Sequence, residues 1–153
     1  MLEPFPNETT LHAAWEQLGV GAPTIVACAL LCAKALHDGP QIDAELSQEA
    51  ETLLWAARQR GMIEIKGVYT AFTGPARLLA VYVEQPDDTS LEFRCKDDVE
   101  FTVRCLEGFR QLCQHGFIWH HLFRDFSLSQ FGFERAQNVD AEQAQKLIQR
   151  LQG

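Results

Sequence analysis

Residues 54–63 (LWAARQRGMI) and residues 109–118 (FRQLCQHGFI) share one layout, 55 residues apart: the end of an amphipathic helix, a glycine, then the apolar start of a strand. No other feature restricts the fold as strongly. A helix that ends in the left-handed conformation takes glycine there because no Cβ resists it. Two such helix-to-strand turns exclude an all-α or all-β chain and predict the α+β class. The echo continues, a residue or so out of register, from Tyr69 and Phe72 to Phe123 and Phe126.

Local patterns supply the remaining elements. Leu11, Ala14, Trp15 and Leu18 share one face of a short helix over 9–18, and Pro23 suits the first turn of a second over 23–36. That second helix is apolar nearly all round, which predicts a central, buried position. Asp43 or Ser47 caps a third helix over 46–60, with Leu46, Ala50, Leu53, Leu54 and Ala57 inward and Glu49, Glu51 and Arg58 outward. Strand-like runs follow at 62–65, 68–73, 78–84 and 91–95, divided by Lys66-Gly67, Gly74-Pro75 and Pro86-Asp87-Asp88. Asp97 and Glu100, spaced as a capping box, open a fourth helix to His115 with Val99, Val103, Leu106, Phe109 and Cys113 as its apolar stripe. A last helix over 140–152, capped by Asp140 and Gln143, carries Ala144, Leu147, Ile148 and Leu151 on one face, and that face is expected to pack against protein and to mediate a homodimer contact. With 46% hydrophobic and 22% charged residues, the chain has the makings of one compact unit spanning 1–153; an internal duplication, 9–75 and 97–137, is compatible with the echo.

The helix–glycine–strand–turn–strand layout resembles winged-helix domains, in which the third helix ends at a glycine and a β-hairpin wing follows. The later copy is the more similar: Phe126-Ser-Leu128-Ser-Gln-Phe-Gly132-Phe-Glu-Arg-Ala136 follows that family's wing-to-helix pattern. The resemblance implies a winged-helix-like helical N-terminal part with a β-hairpin, then a second helix–strand unit and a C-terminal helix. Residues 76–95 exceed a simple wing, and the helix that would read DNA carries Glu49 and Glu51.

Charge narrows the partners. The net charge is −8, and residues 1–53 hold eight acids against the single base Lys34. Such a surface repels phosphate backbones and anionic lipid, so nucleic acid is a disfavoured partner. Residues 1–4 lack a basic signal region, and the longest apolar run, 25–33, is too short to span a bilayer, so no membrane partner is expected. Five cysteines read as reduced thiols and point to the cytoplasm.

The residues suited to catalysis are poorly arranged for it. Cys28 and Cys32, one helical turn apart, read as core thiols because that spacing does not suit a disulfide. Cys113, His115, His120 and His121 crowd together, but adjacent histidines on a strand point to opposite faces, so no metal site is assigned. Gly19-Val20-Gly21-Ala22-Pro23-Thr24 precedes a helix without the lysine of a phosphate loop. Neither Gly-x-Ser-x-Gly nor His-Glu-x-x-His occurs, and no catalytic, cofactor-binding or metal-ligating residue is assigned.

The most unusual segment is 117–133, where Phe117, Trp119, Phe123, Phe126, Phe131 and Phe133 gather. It serves either as core or as a surface with Trp119, His120, His121 and Arg124 as its polar-edged rim. The expectation is a cytoplasmic, non-enzymatic regulatory or protein-interaction module that binds itself or another protein. The alternatives are a ligand-binding or enzymatic domain using 117–133, and a DNA-binding regulator.

Overall fold

The computed structural model describes residues 23–68 and 78–152, and these form an α+β fold. In chain order they are α1 (Pro23–Asp38), α2 (Gln48–Ala56), β1 (Met62–Val68), β2 (Leu78–Glu84), β3 (Ser90–Phe93), α3 (Val99–Gln114), β4 (Ile118–Leu122), β5 (Asp125–Leu128), α4 (Gln130–Ala136) and α5 (Ala141–Gln152). The expected helix over 9–18 and most of the expected strand 68–73 lie outside the described residues.

Side-chain caps start the helices. The Ser47 hydroxyl accepts from the Ala50 N–H at 3.2 Å, so Ser47, rather than Asp43, opens α2. Asp140 accepts from the N–H groups of Glu142 and Gln143, at 3.0 and 3.3 Å, as α5 begins. The cap of α3 is Asp98, one residue later than expected, accepting from Phe101 at 3.0 Å.

Both expected glycine stops are left-handed, with φ of +70° at Gly61 and +83° at Gly116. After α3, the Phe117 N–H reaches Leu112 O at 3.0 Å and the Gly116 N–H reaches Cys113 O at 3.4 Å, the paired bonds of a Schellman ending. Gly116 delivers the chain from α3 to β4; α2 ends at Ala56, short of the expected 60, and Gly61 leads into β1 after the turn over 57–60.

Among the described residues the sheet has five antiparallel strands in the order β3-β2-β1-β5-β4. Strands of the two echoing segments meet where Met62, Ile63 and Glu64 pair with Ser127, Phe126 and Asp125. Alternation sends Ile63, Ile65, Val81, Val83, Phe93 and Phe126 to one face, where they are buried beneath the helices. The ring of Phe109 on α3 meets Phe126 edge-on, centroids 4.9 Å apart. The opposite face carries Met62, Glu64, Lys66, Tyr82, Glu92, Trp119 and Ser127.

Three expectations are corrected. Lys66-Gly67 does not turn; β1 continues through it because Lys66 and Gly67 pair with Ala80 and Leu79. The buried side of α3 is Phe101, Thr102, Cys105, Gly108, Phe109, Leu112 and Cys113, while Val99 and Val103 are exposed. At about 100° per residue, Val99 stands about 160° from Phe101, and the broader aromatic face takes the core. Nor is α1 buried all round: Ile25, Cys28, Cys32 and Ala35 pack inward, but Leu30 is 59% and Leu36 69% exposed among the described residues. Among those residues, the principal neighbours of α1 are α3 and β4, which cover a single face.

Candidate interaction surface

The aromatic segment divides between core and surface. Phe117 and Phe126 are fully buried, Phe131 is half-buried, and Trp119, Phe123 and Phe133 are exposed. Of the four expected rim residues, Trp119 stands on the open sheet face opposite Ser127, whereas His120 pairs with Phe126 and turns to the helix side. His120 Nε2 lies 2.9 Å from Phe123 O. A bulge between His120 and Leu122 sets His121 beside the Ser127 hydroxyl. Arg124 occupies the β4–β5 turn, its carbonyl accepting from the Ile65 N–H at 3.2 Å. The two histidines thus diverge, and the four side chains do not converge on one point.

Four of the five thiols are buried, and Cys95 is half-buried. Cys28 and Cys32 of α1 face Cys113 of α3, and burial pushes the Cys113 thiol well above its ordinary value. Burial, with Glu49 nearby, raises Cys105 to about 12. Among the described residues no three His, Cys, Asp or Glu side chains are placed to hold a metal ion. His115, near Cys113 in sequence, instead bonds Gln41, and burial with the charges of Arg110 and Arg135 lowers its pKa.

The more open architecture lies at the other end of the sheet. The β2–β3 hairpin turns at Pro86-Asp87-Asp88 as expected, with Asp88 at φ +67°. The Gln85 N–H bonds Thr89 O at 2.8 Å. From that pair the antiparallel alternation points the N–H and C=O of Leu91 and Phe93 at β2, and those of Ser90 and Glu92 outward. The ladder ends at Phe93, and beyond it the Cys95 N–H bonds Thr102 Oγ1 at 3.0 Å. As the last strand in the sheet order, β3 presents along its outer edge backbone groups that are unpaired among the described residues.

Two adjoining hollows flank that edge. One, of about 610 Å³, is lined by Trp55 of α2, Asp87, Leu91 and by Gln145, Ile148 and Gln149 of α5. The other, of about 430 Å³, runs from Ser90 to Asp97 beside Leu151. Both include Ser90 and Leu91; neither is lined by His120 or His121. Their helical wall is held by packing. Ala144 is fully buried, Leu147, Ile148 and Leu151 lie against the core, and Arg150 reaches Asp98 at 2.6 Å. The α5 stripe thus packs on its own chain. Arg58 stacks over Trp55, 3.7 Å from the ring centroid, and stiffens the hollow's other wall.

Sequence reasoning placed the hairpin, the turn and the α5 stripe but not the groove that they form. The alternating Ser90-Leu91-Glu92-Phe93 pattern marks a strand with one solvent-facing side; it carries no mark of which neighbour that strand has.

No family model, curated protein or solved structure matches the chain. Its class is therefore defined by the architecture: an α+β fold with helices on one face of a five-stranded antiparallel sheet, and with no helix among the described residues long and apolar enough to cross a membrane.

Proposed function

We propose that the protein is a non-enzymatic interaction module of the cytoplasm that binds a polypeptide segment by strand addition to β3, in the groove walled by α5. The observation that carries this reading is the outer edge at Ser90 and Glu92, unpaired among the described residues and bordered by two adjoining hollows that α5 walls. An added strand supplies backbone bonds to such an edge, and alternate side chains enter the pockets beside it. Here Trp55, Leu91, Ile148 and Leu151 offer apolar contact, and Gln145 and Gln149 a polar margin. The acidic N-terminal third and the glutamates on α2 favour a protein over a nucleic acid. Glu49 and Glu51 lie near Arg104 and Arg135, at 3.4 and 3.6 Å.

Selection from a random displayed-peptide library, followed by amide hydrogen exchange, tests the reading. Bound peptides are expected to slow exchange at Ser90 and Glu92, and Gln149→Arg, at an exposed residue of the groove, is expected to weaken binding while leaving the fold intact. Protection confined to Trp119 and His121 would favour the ligand-binding alternative. Submicromolar, salt-sensitive binding of duplex DNA would favour the third.

A further inference from the structure

We infer that the segment accepted by the β3 edge is β3 of a second copy of this chain, the two strands running antiparallel about a twofold axis at Phe93. This rests on the reading of that edge as the binding surface. Paired residues on antiparallel strands share a face, so a twofold axis perpendicular to the sheet must pass through a residue position and not between two. The charges then select the position.

Glu92 belongs to the outward-bonding set and to the open face; Arg94, the first residue after β3, would join that set if the strand were extended by pairing, and its Nη1 already lies 3.5 Å from Glu92 Oε1. An axis at Phe93 sets Glu92 opposite Arg94 of the other copy, and Arg94 opposite its Glu92. Each such pair exchanges both backbone bonds, and the four side chains form an alternating array. An axis at Glu92 would set two carboxylates opposite each other, and one at Leu91 would set Glu92 opposite Ser90. A parallel, in-register arrangement would align like charges. Unlike charges directly opposite one another stabilise a strand pair and like charges oppose it. The Glu92 carboxylate is already held on this face by the Tyr82 hydroxyl, which donates to it at 3.1 Å.

On the helix side, the same axis sets half-buried Leu91 opposite Cys95 of the second copy, beside the hollow that Leu151 lines. The hollows along the edge are the space that the incoming strand and its side chains need.

Charge exchange tests the inference. Sedimentation of the full chain is expected to show a concentration-dependent dimer, which Glu92→Arg and Arg94→Glu each weaken by roughly tenfold or more through like-charge opposition. Mixing those two variants brings two arginines opposite two glutamates, so a one-to-one heterodimer is expected where neither variant associates alone. Circular dichroism and melting of each variant check that the fold is kept. A wild-type chain that stays monomeric at high concentration, or folded variants that dimerise as well as wild type, would overturn the inference. If selected peptides still protect Ser90 and Glu92 in that case, the edge remains a binding surface for another protein. If they do not, the proposed function falls as well.

Discussion

Gly108 of α3 lies against the backbone of α2 at Ala50, so close that a Cβ at position 108 would stand 2.7 Å from the Ala50 nitrogen. The opposing atoms are backbone, continuing to the Ala50 Cα and Glu49 carbonyl carbon, each at 3.1 Å. Alanine in a helix interior ordinarily stabilises by about 1 kcal/mol relative to glycine. Here the packed crossing reverses the sign: Gly108→Ala is expected to destabilise by about 1–3 kcal/mol in urea unfolding. A gain in stability would show that the helices sit farther apart.

Gly116 and Gly39 separate conformational strain from crowding. Both have positive φ, +83° and +95°, but a Cβ at 39 meets nothing within 4 Å, whereas one at 116 would lie 3.0 Å from the Pro40 Cα. Gly39→Ala is expected to cost about 1–2 kcal/mol from conformation alone. Gly116→Ala should cost at least about 1 kcal/mol more, because the Pro40 backbone has to move. Equal losses in denaturant titrations would contradict that contact.

His115 gives stability a pH dependence. Burial, then the charges of Arg110 and Arg135, hold its folded-state pKa below the ordinary 6.5. The unfolded chain therefore binds the proton more readily, and stability rises with pH across that window. The contribution is fully present above about pH 6.5 and is lost as pH falls through that value toward the lower, folded-state pKa. His115→Asn should flatten this part of the profile of melting temperature against pH; an unchanged slope would assign it to other groups.

The C-terminal helix is expected to be required for stability. Ala144 is fully buried, and Leu147, Ile148 and Leu151 pack against the core. At about 25 cal/mol per Å² of apolar surface, these contacts contribute on the order of 3–6 kcal/mol before ordering costs. Truncation after Asn138 should lower the melting temperature markedly and abolish association through the β3 groove. A truncated chain with unchanged melting would show that α5 is not needed to hold the fold.

Interactions within a few residues were legible in the sequence. Ser47 and Asp140 begin helices and Gly116 ends one as their own chemistry requires, Gly61 is left-handed although α2 stops earlier, at Ala56, and the spacing of Ala144, Leu147, Ile148 and Leu151 defined the inward face of α5. Strand 78–84 appears at its expected bounds. Asp98 displaced Asp97 as the cap by one residue, since competing caps there differ little in local energy.

Only the tertiary structure decided the rest. Val99 and Val103 fit a helical stripe as well as Phe101 and Cys105 do; the aromatic face won because the sheet offers it Phe126 and its neighbours. Lys66-Gly67 has turn chemistry, yet pairing with β2 keeps it extended. The groove depends on the longest-range choices, β1 taking β5 on one side and β2 on the other, which leaves β3 outermost. Helix caps and periodicity are set by neighbours along the chain and can be read from them. A strand's edge position is set by whichever distant partner gains most from pairing, and that competition is resolved only when the whole sheet forms.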